Sequence, residues 1–381
     1  MSRVAARRRS PGRIDAGVAW RSNVSLARYH TGMTQSRAPN AALREVDDEP
    51  PAPGETREIA PGILWLRMPL PFALDHVNLW LAAEDGGYTL VDCGYGDATT
   101  RAHWQRHFAT TLADRPIRRI VATHCHPDHV GNAAWLAAHF GCPIAMTQGE
   151  YLAAHALIDQ RAGYGQADVR GLFARHGMSA EHLAALAARG NHYHRGVPEA
   201  PHAFERMIDG DTLMIGRWRW QVICGYGHSP EHAALATGEG RLLIAGDMLL
   251  PRISTNVAVW PGEPDGDPVA RFLHSLTRFE ALPADTLVLP SHGKPFRGIA
   301  ARVGRLRAHH EERLRELHAA LSAAGSPRSA EQMIAVLFRR QLDLQQRFFA
   351  MGEAIAHLNR LWHDGRATRT IAADGAIRYA A

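Results

Sequence analysis

The sequence predicts an α/β protein in which two packed sheets are flanked by helices, with a helical insert in mid-chain and a helical C-terminal module closed by a hairpin wing. Three observations lead there. From about residue 57, short runs rich in β-branched, aromatic and apolar residues alternate with Gly, Pro and Asp, the signature of strands and turns. A stretch rich in Ala, Leu, Arg and Gly, about residues 148–203, interrupts that pattern. From about residue 300 apolar residues recur at helical spacing almost to the end of the chain.

With 381 residues, 46% of them hydrophobic, the chain can bury a sizeable core, and one large domain with an appendage is expected. Residues 1–56 read as a disordered Arg- and Pro-rich extension, 57–299 as the two-sheet domain and 300–381 as the helical module. The formal charge of +5 is misleading as a sign of nucleic-acid binding, because residues 1–44 carry nine arginines against the single acid Asp15. The rest of the chain is slightly acidic. A flexible extension, or translation from Met33, explains the tail more simply than a nucleic-acid role. No run approaches the ~18 apolar residues needed to cross a bilayer, and no apolar block or cleavage site follows the first arginines, so neither membrane insertion nor secretion is expected. Cys93, Cys125, Cys142 and Cys224 are scattered without C-x-x-C spacing, which fits a reducing cytoplasm better than a disulfide framework.

In chain order, "GILWLRM", "HVNLWLA" and "GYTLVDCG" read as strands. "RRIVATHCH" is another strand running into a histidine cluster, "NAAWLAAHF" a helix starting beside Asn132, and "CPIAMT" a strand. The insert, with "GEYLAAHALIDQ" and "AEHLAALAARG", is expected to cap a pocket. Strands resume at "DTLMIG", "WRWQVICGYG", "HAALATG" and "RLLIAGD"; a helix around "DPVARFLHSLTRFEAL" and the strand "DTLVLPSHG" complete two sheets with flanking helices. At the C-terminus "ARVGRLRAHHEERLRELHAALSA" has a heptad-like apolar face. "SAEQMIAVLF" opens on a Ser with a nearby Glu suited to an N-cap, and "FAMGEAIAHLNRLWHDG" stops at a C′ Gly. "RATRTIAADGAIRYAA" supplies two strands about an Asp-Gly turn. Helices followed by a hairpin suggest a winged helix. Its candidate recognition helix carries Glu353 and Asp364 against Arg360, a poor phosphate-binding face, so packing or dimerisation is the expected role.

The stretch "VATHCHPDHVGN" carries the chemistry. Side chains of an extended segment alternate, so His124 and His126 share one face and Cys125 points away. Asp128 and His129 come from the turn begun by Pro127 and address a second point close by. Nitrogen and oxygen donors in this density after a strand are zinc ligands by type. Other histidines are set apart: His76 is expected to be structural, His192 and His194 to lie outside the site, and His309 and His310 to be solvated. His232 either supports the centre or serves as a cap or surface residue. Trp218 and Trp220 are expected to pack.

His124, His126, Asp128 and His129 match H-x-H-x-D-H, and on them the chain resembles the metallo-β-lactamase superfamily over about residues 57–297. "GYGHSPEHAAL" offers His228, "LLIAGD" Asp247, "LVLPSHG" His292 and "LVDCG" the supporting Asp92. The resemblance implies a four-layer αββα sandwich. It also implies one metal on His124, His126 and His228, a second on Asp128, His129 and His292, and Asp247 bridging both. Two zinc ions are the expected cofactors, with iron or manganese as alternatives. The implied reaction is attack on a carbonyl, in a thioester, ester or lactone, by hydroxide bridged between two metals, with catalytic roles for Asp128 as base and for Asp247. The chemistry is consistent: three imidazoles leave an open coordination position, and two cations about 3.5–4 Å apart acidify a shared water. Hydroxyacylglutathione hydrolase (glyoxalase II) is the analogy; a metal-dependent ribonuclease using the winged helix and a mononuclear iron sulfur dioxygenase are the alternatives. The expected partner is a small acyl substrate, not a membrane and not by preference a nucleic acid. A homodimer is compatible with the sequence.

Overall fold

The computed structural model describes residues 42–161 and 163–381; the tail 1–41, with its expected disorder and the alternative start Met33, lies outside the described residues. The elements run β1 (Arg44–Glu45), β2 (Arg57–Ala60), β3 (Ile63–Pro69), β4 (His76–Glu84), β5 (Gly87–Val91), α1 (Ala98–Ala109), β6 (Ile117–Val121), α2 (Pro127–Val130), α3 (Ala133–Phe140) and β7 (Ile144–Thr147). The insert forms α4 (Gln148–Ile158), α5 (Gln166–Arg175), α6 (Ala180–Ala188) and α7 (His192–Gly196). There follow β8 (Glu205–Met207), β9 (Thr212–Ile215), β10 (Trp218–Gly225), β11 (His232–Thr237), β12 (Leu242–Gly246), α8 (Pro268–Glu280), β13 (Leu287–Pro290) and β14 (Phe296–Arg297). The C-terminal region is α9 (Ile299–Ala323), α10 (Ala330–Leu337), α11 (Leu344–His363) and the hairpin β15 (Thr368–Ile371) and β16 (Ile377–Ala380).

Two sheets result, one ordered β2-β3-β4-β5-β6-β7-β8 and the other β1-β14-β13-β12-β11-β10-β9. Strand alternation assigns each residue to a layer. Trp65, Trp80, Trp220, Val222, Leu242 and Ile244 fill one apolar cluster contributed by both sheets. Their neighbours Leu66, Leu79 and Leu81 turn to the opposite face with Trp104 and Leu136 of α1 and α3. Leu243 and Ala245 turn to Phe272, Leu306 and Ile355 of α8, α9 and α11. The expected α/β class, sheets between helices, is the one observed.

Three sequence-based expectations need correction. The extension does not run to residue 56: β1 pairs antiparallel with β14, Val46 N–H donates to Pro295 O at 2.8 Å, and Glu45 takes Arg252 in a bidentate pair at 2.5 and 2.6 Å. A two-residue strand is too short to carry a hydrophobic period, so its pairing left no mark in the sequence. His310 is buried, 1% exposed, because it falls on the apolar stripe of α9 with Val303, Leu306, Leu314, Leu317 and Leu321. Its Nδ1 lies 3.0 Å from His357 Nε2. Ser329 caps α10 in a capping box whose partner is Gln332, not the neighbouring Glu331, since only the third helical residue reaches back to the cap.

The face of α11 offered as a recognition surface lies inside: Met351, Ala354, Ile355, Leu358 and Leu361 are all buried. Asp364 and Gly365, at φ +70°, end the helix as expected. Among the described residues the four cysteines are free, and no helix is long and apolar enough to cross a membrane.

Candidate metal centre

Five strands of the two sheets deliver the candidate residues at their C-terminal ends. Asp92 follows β5, His124 to His129 follow β6, His228 follows β10, Asp247 follows β12 and His292 follows β13. All seven expected ligands meet. His124, His126 and His228 form one group able to hold a metal ion, Asp128, His129 and His292 another, and His124, His129 and Asp247 a third, with the donor atoms of each group within 4.8 Å of one another.

The spacing is that of a coordination shell. His124 Nε2 lies 3.3 Å from His228 Nε2, and His292 Nε2 lies 3.4 Å from both Asp128 Oδ2 and Asp247 Oδ1. Asp247 Oδ2 is 3.4 Å from His228 Nε2, so its two oxygens face the two halves of the site. Tetrahedral zinc at about 2.0–2.1 Å from its donors sets those donors ~3.3 Å apart. His126 joins through Nδ1, 2.9 Å from His124 Nε2. His129 Nε2 and Asp247 Oδ1 are buried without hydrogen-bond partners among the described residues, a costly state that a cation would relieve.

Second contacts fix which nitrogen of each ring is free. Nδ1–H of His228 donates to Asn256 O at 2.8 Å, that of His292 to His76 O at 2.7 Å and that of His129 to Asp92 Oδ2 at 2.8 Å. Thr123 Oγ1 lies 3.0 Å from His124 Nδ1 and donates to Asp92 Oδ2 at 2.9 Å. In each ring Nε2 is thereby turned inward.

Electrostatics divide the site. Burial, reinforced by neighbouring imidazoles, pushes His124 well down and His126 to about 3, keeping these two rings neutral. In the other half burial opposes charge but is outweighed: Asp247 and Asp128 raise His292 to about 10, and Asp128, Asp92 and Asp247 hold His129 well above the usual imidazole range. Asp128 and Asp247 stay ionised, their burial outweighed by these histidines. Buried carboxylates that draw protons onto adjacent imidazoles mark a place where positive charge belongs.

Three supporting residues, Glu150, Asn78 and Asn256, had no local signal. Buried Glu150, in the first turn of α4, accepts from Cys125 N at 2.9 Å and from Ser229 Oγ and Glu231 N, both at 2.6 Å, tying the His124 loop to the His228 loop. Asn78 donates to Pro290 O at 2.9 Å and to Gly293 O at 2.8 Å, holding the His292 turn. His232, left open between support and surface, is buried and accepts from Asp247 N at 3.1 Å. Asn256 acts through its carbonyl. His76 is structural, as expected: it braces the His292 turn, its Nε2 accepting from Gly293 N at 2.9 Å. His192 and His194 lie on α7, away from the ligand groups, although His192 lines the cavity beside them. Trp220 packs between the sheets with Trp218 against it.

A cavity of about 1190 Å³ opens over His126, Asp128 and His228. Its wall comes from the insert, through Leu157, Val169 and Leu186, from Trp260, and from Phe348 at the start of α11. The insert therefore caps a pocket, and the C-terminal region shares in it.

Comparison with known proteins agrees with this geometry. Residues 73–292 match the Metallo-beta-lactamase superfamily, and residues 314–381 match the family described as Metallo-beta-lactamase-like, C-terminal domain. The "Probable metallo-hydrolase YqjP" of Bacillus subtilis is 25% identical over 305 residues, 78% of this chain and 92% of that protein. A crystal structure of a beta-lactamase domain protein from Burkholderia ambifaria is 46% identical, with a TM-score of 0.82, over 89% of this chain and 98% of that one. A metallo-beta-lactamase family protein from Thermus thermophilus is 29% identical, with a TM-score of 0.72, over 85% of this chain and 99% of that one. With the sequence match spanning most of both sheets and the donor groups converging at their strand ends, the chain belongs to the metallo-β-lactamase superfamily of metallo-hydrolases.

Proposed function

We propose that this metallo-hydrolase cleaves a small acyl substrate, a thioester, ester or lactone with an apolar acyl part, at a centre of two zinc ions. The observation that carries the reading is the pair of donor groups, His124, His126 and His228 beside Asp128, His129 and His292, joined by Asp247 and open to a cavity with apolar walls. Two cations held there would supply a water acidic enough to attack a carbonyl near neutral pH and positive charge to steady the resulting oxyanion.

The chain's own residues do the rest. Asp128, ionised and at the cavity floor, accepts the proton of the attacking water at a carboxylate oxygen and can return it to the leaving group. Asp247 faces both donor groups, its backbone N–H held by His232. Leu157, Val169, Leu186 and Phe348 bind the acyl part and exclude water. The complete Asp128, His129 and His292 group favours two cations over a mononuclear iron site, and the burial of α11 favours a small substrate over an RNA.

Metal analysis of the purified chain, with turnover measured on aryl esters, lactones and acyl thioesters, tests this. About two equivalents of zinc are expected, with turnover lost on chelation and reduced at least ~100-fold in Asp128→Asn. Absence of bound metal, or full activity in that variant, sinks the reading.

A further inference from the structure

An acid that the proposed chemistry does not use stands, half-buried, behind His228. The carbonyl of Asn256 accepts from His228 Nδ1 at 2.8 Å, and the side-chain Nδ2 of the same Asn256 donates to Glu353 Oε2 at 3.2 Å. Glu353 lies on α11, in the C-terminal region. Burial pushes its carboxyl up to about 7, with the Asn256 hydrogen bond and Arg313 pulling it back.

Glu353 is one of four residues of α11 that grip the same loop. The preceding residue, Gly352, accepts Val259 N–H at 3.1 Å, and a Cβ at Gly352 would come within 2.9 Å of Ala258 Cβ, so only glycine permits this approach. Farther along α11, Asn359 Nδ2 donates to Pro264 O at 3.1 Å and Gly266 O at 3.0 Å, and Arg360 pairs with Asp267 at 2.8 Å. One helix therefore holds the chain from Asn256 to Asp267.

We propose that Glu353 is a positioning residue of the metal centre: through Asn256 it holds the carbonyl that sets the orientation and tautomer of His228, making the C-terminal helix part of the site. The inference rests on His228 being a metal ligand. Without the Asn256 carbonyl on Nδ1, the His228 ring is free to turn its Nε2 lone pair away from His124 Nε2.

Zinc affinity of the full chain, read by competition with a chromophoric chelator, tests the link beside thermal stability. Glu353→Ala should weaken one of the two zinc equivalents roughly tenfold, the low end of what loss of a ligand's support costs. Glu353→Gln, whose amide oxygen still accepts from Asn256, should restore it. Asn256→Ala, which keeps the backbone carbonyl, should match Glu353→Ala, and the double variant should be no worse than either single one. Leu358→Ala on the same helix should lower Tm and leave zinc affinity unchanged. Wild-type affinity in Glu353→Ala, additive losses in the double variant, or equal losses in Glu353→Gln and Glu353→Ala would each overturn the proposal. Should Glu353→Ala fail to fold, Asn256→Ala carries the test alone. A wild-type chain that binds no zinc refutes the functional reading itself, whereas two tight zinc ions in every variant refute only this inference.

Discussion

At the scale of single residues, the centre depends on side chains that touch no substrate. Asp92 ends β5 at φ +62°, a left-handed conformation that Asn and Asp tolerate best. From there its carboxylate takes Thr123 N at 2.8 Å, Thr123 Oγ1 at 2.9 Å and His129 Nδ1 at 2.8 Å. Asp92→Asn keeps the backbone preference and removes the charge, so the fold should survive while metal affinity falls about 10–100-fold, measurable as zinc stoichiometry against a competing chelator. Glu150 is a sharper case, because its two oxygens take three donors from two ligand loops. In Glu150→Gln an NH₂ must face an N–H or O–H donor, leaving a buried clash of donors that costs about 1–3 kcal/mol. A lowered Tm together with weakened zinc binding is the expected result, and an unchanged Tm would show that the strut carries nothing.

At the scale of elements, the strands bring the candidate ligands into place by how they end. At the end of β12 the chain turns at Gly246, φ +53°, where an added Cβ would lie 2.3 Å from His232 Nε2, the atom that holds Asp247 N. Gly246→Ala combines a disfavoured φ with a contact against a buried ring, and should destabilise the fold by roughly 3 kcal/mol or more and displace Asp247. Urea unfolding and zinc content report the two effects separately. The strand-to-loop edges were legible because apolar runs stop abruptly at "THCHPDH", "GYGHS", "AGD" and "PSHG". What stayed illegible was β1, too short for a period, and the inward turn of His310, where the apolar face of the helix carries a histidine in a leucine's place.

At the scale of the whole molecule, buried neutral histidines tie stability to pH. Burial lowers His107 to about 4, His176 to about 3, His310 to about 3 and His357 to about 4. In the unfolded chain each titrates near 6.5. Above that value both states are neutral and stability is intact. As pH falls from about 6.5 toward the folded values, the unfolded state binds protons that the folded state refuses, and stability is lost at up to roughly 1.4 kcal/mol per pH unit for each group. His176, whose ring nitrogens have no hydrogen-bond partner among the described residues, isolates the effect. The His176→Leu variant should lose less stability than the wild type between pH 7.5 and 5.5 in urea unfolding, and equal losses would count against the assignment.

By itself the sequence determined the succession of strands and helices, the helical insert and the cluster from His124 to His129, because strand alternation, turn chemistry and the H-x-H-x-D-H spacing are local properties of the chain, whereas the layer order and the candidates His228, Asp247 and His292 came with the family resemblance. Tertiary structure alone decided that Glu150, Asn78, Asn256 and Glu353 stand behind those ligands, and that the C-terminal helix reaches the cavity. Each of these acts through a single hydrogen bond or a short set of them to residues distant in the chain. A contact of that kind imposes no period and no spacing, so it exists only once the sheets have closed and water has been excluded from around it.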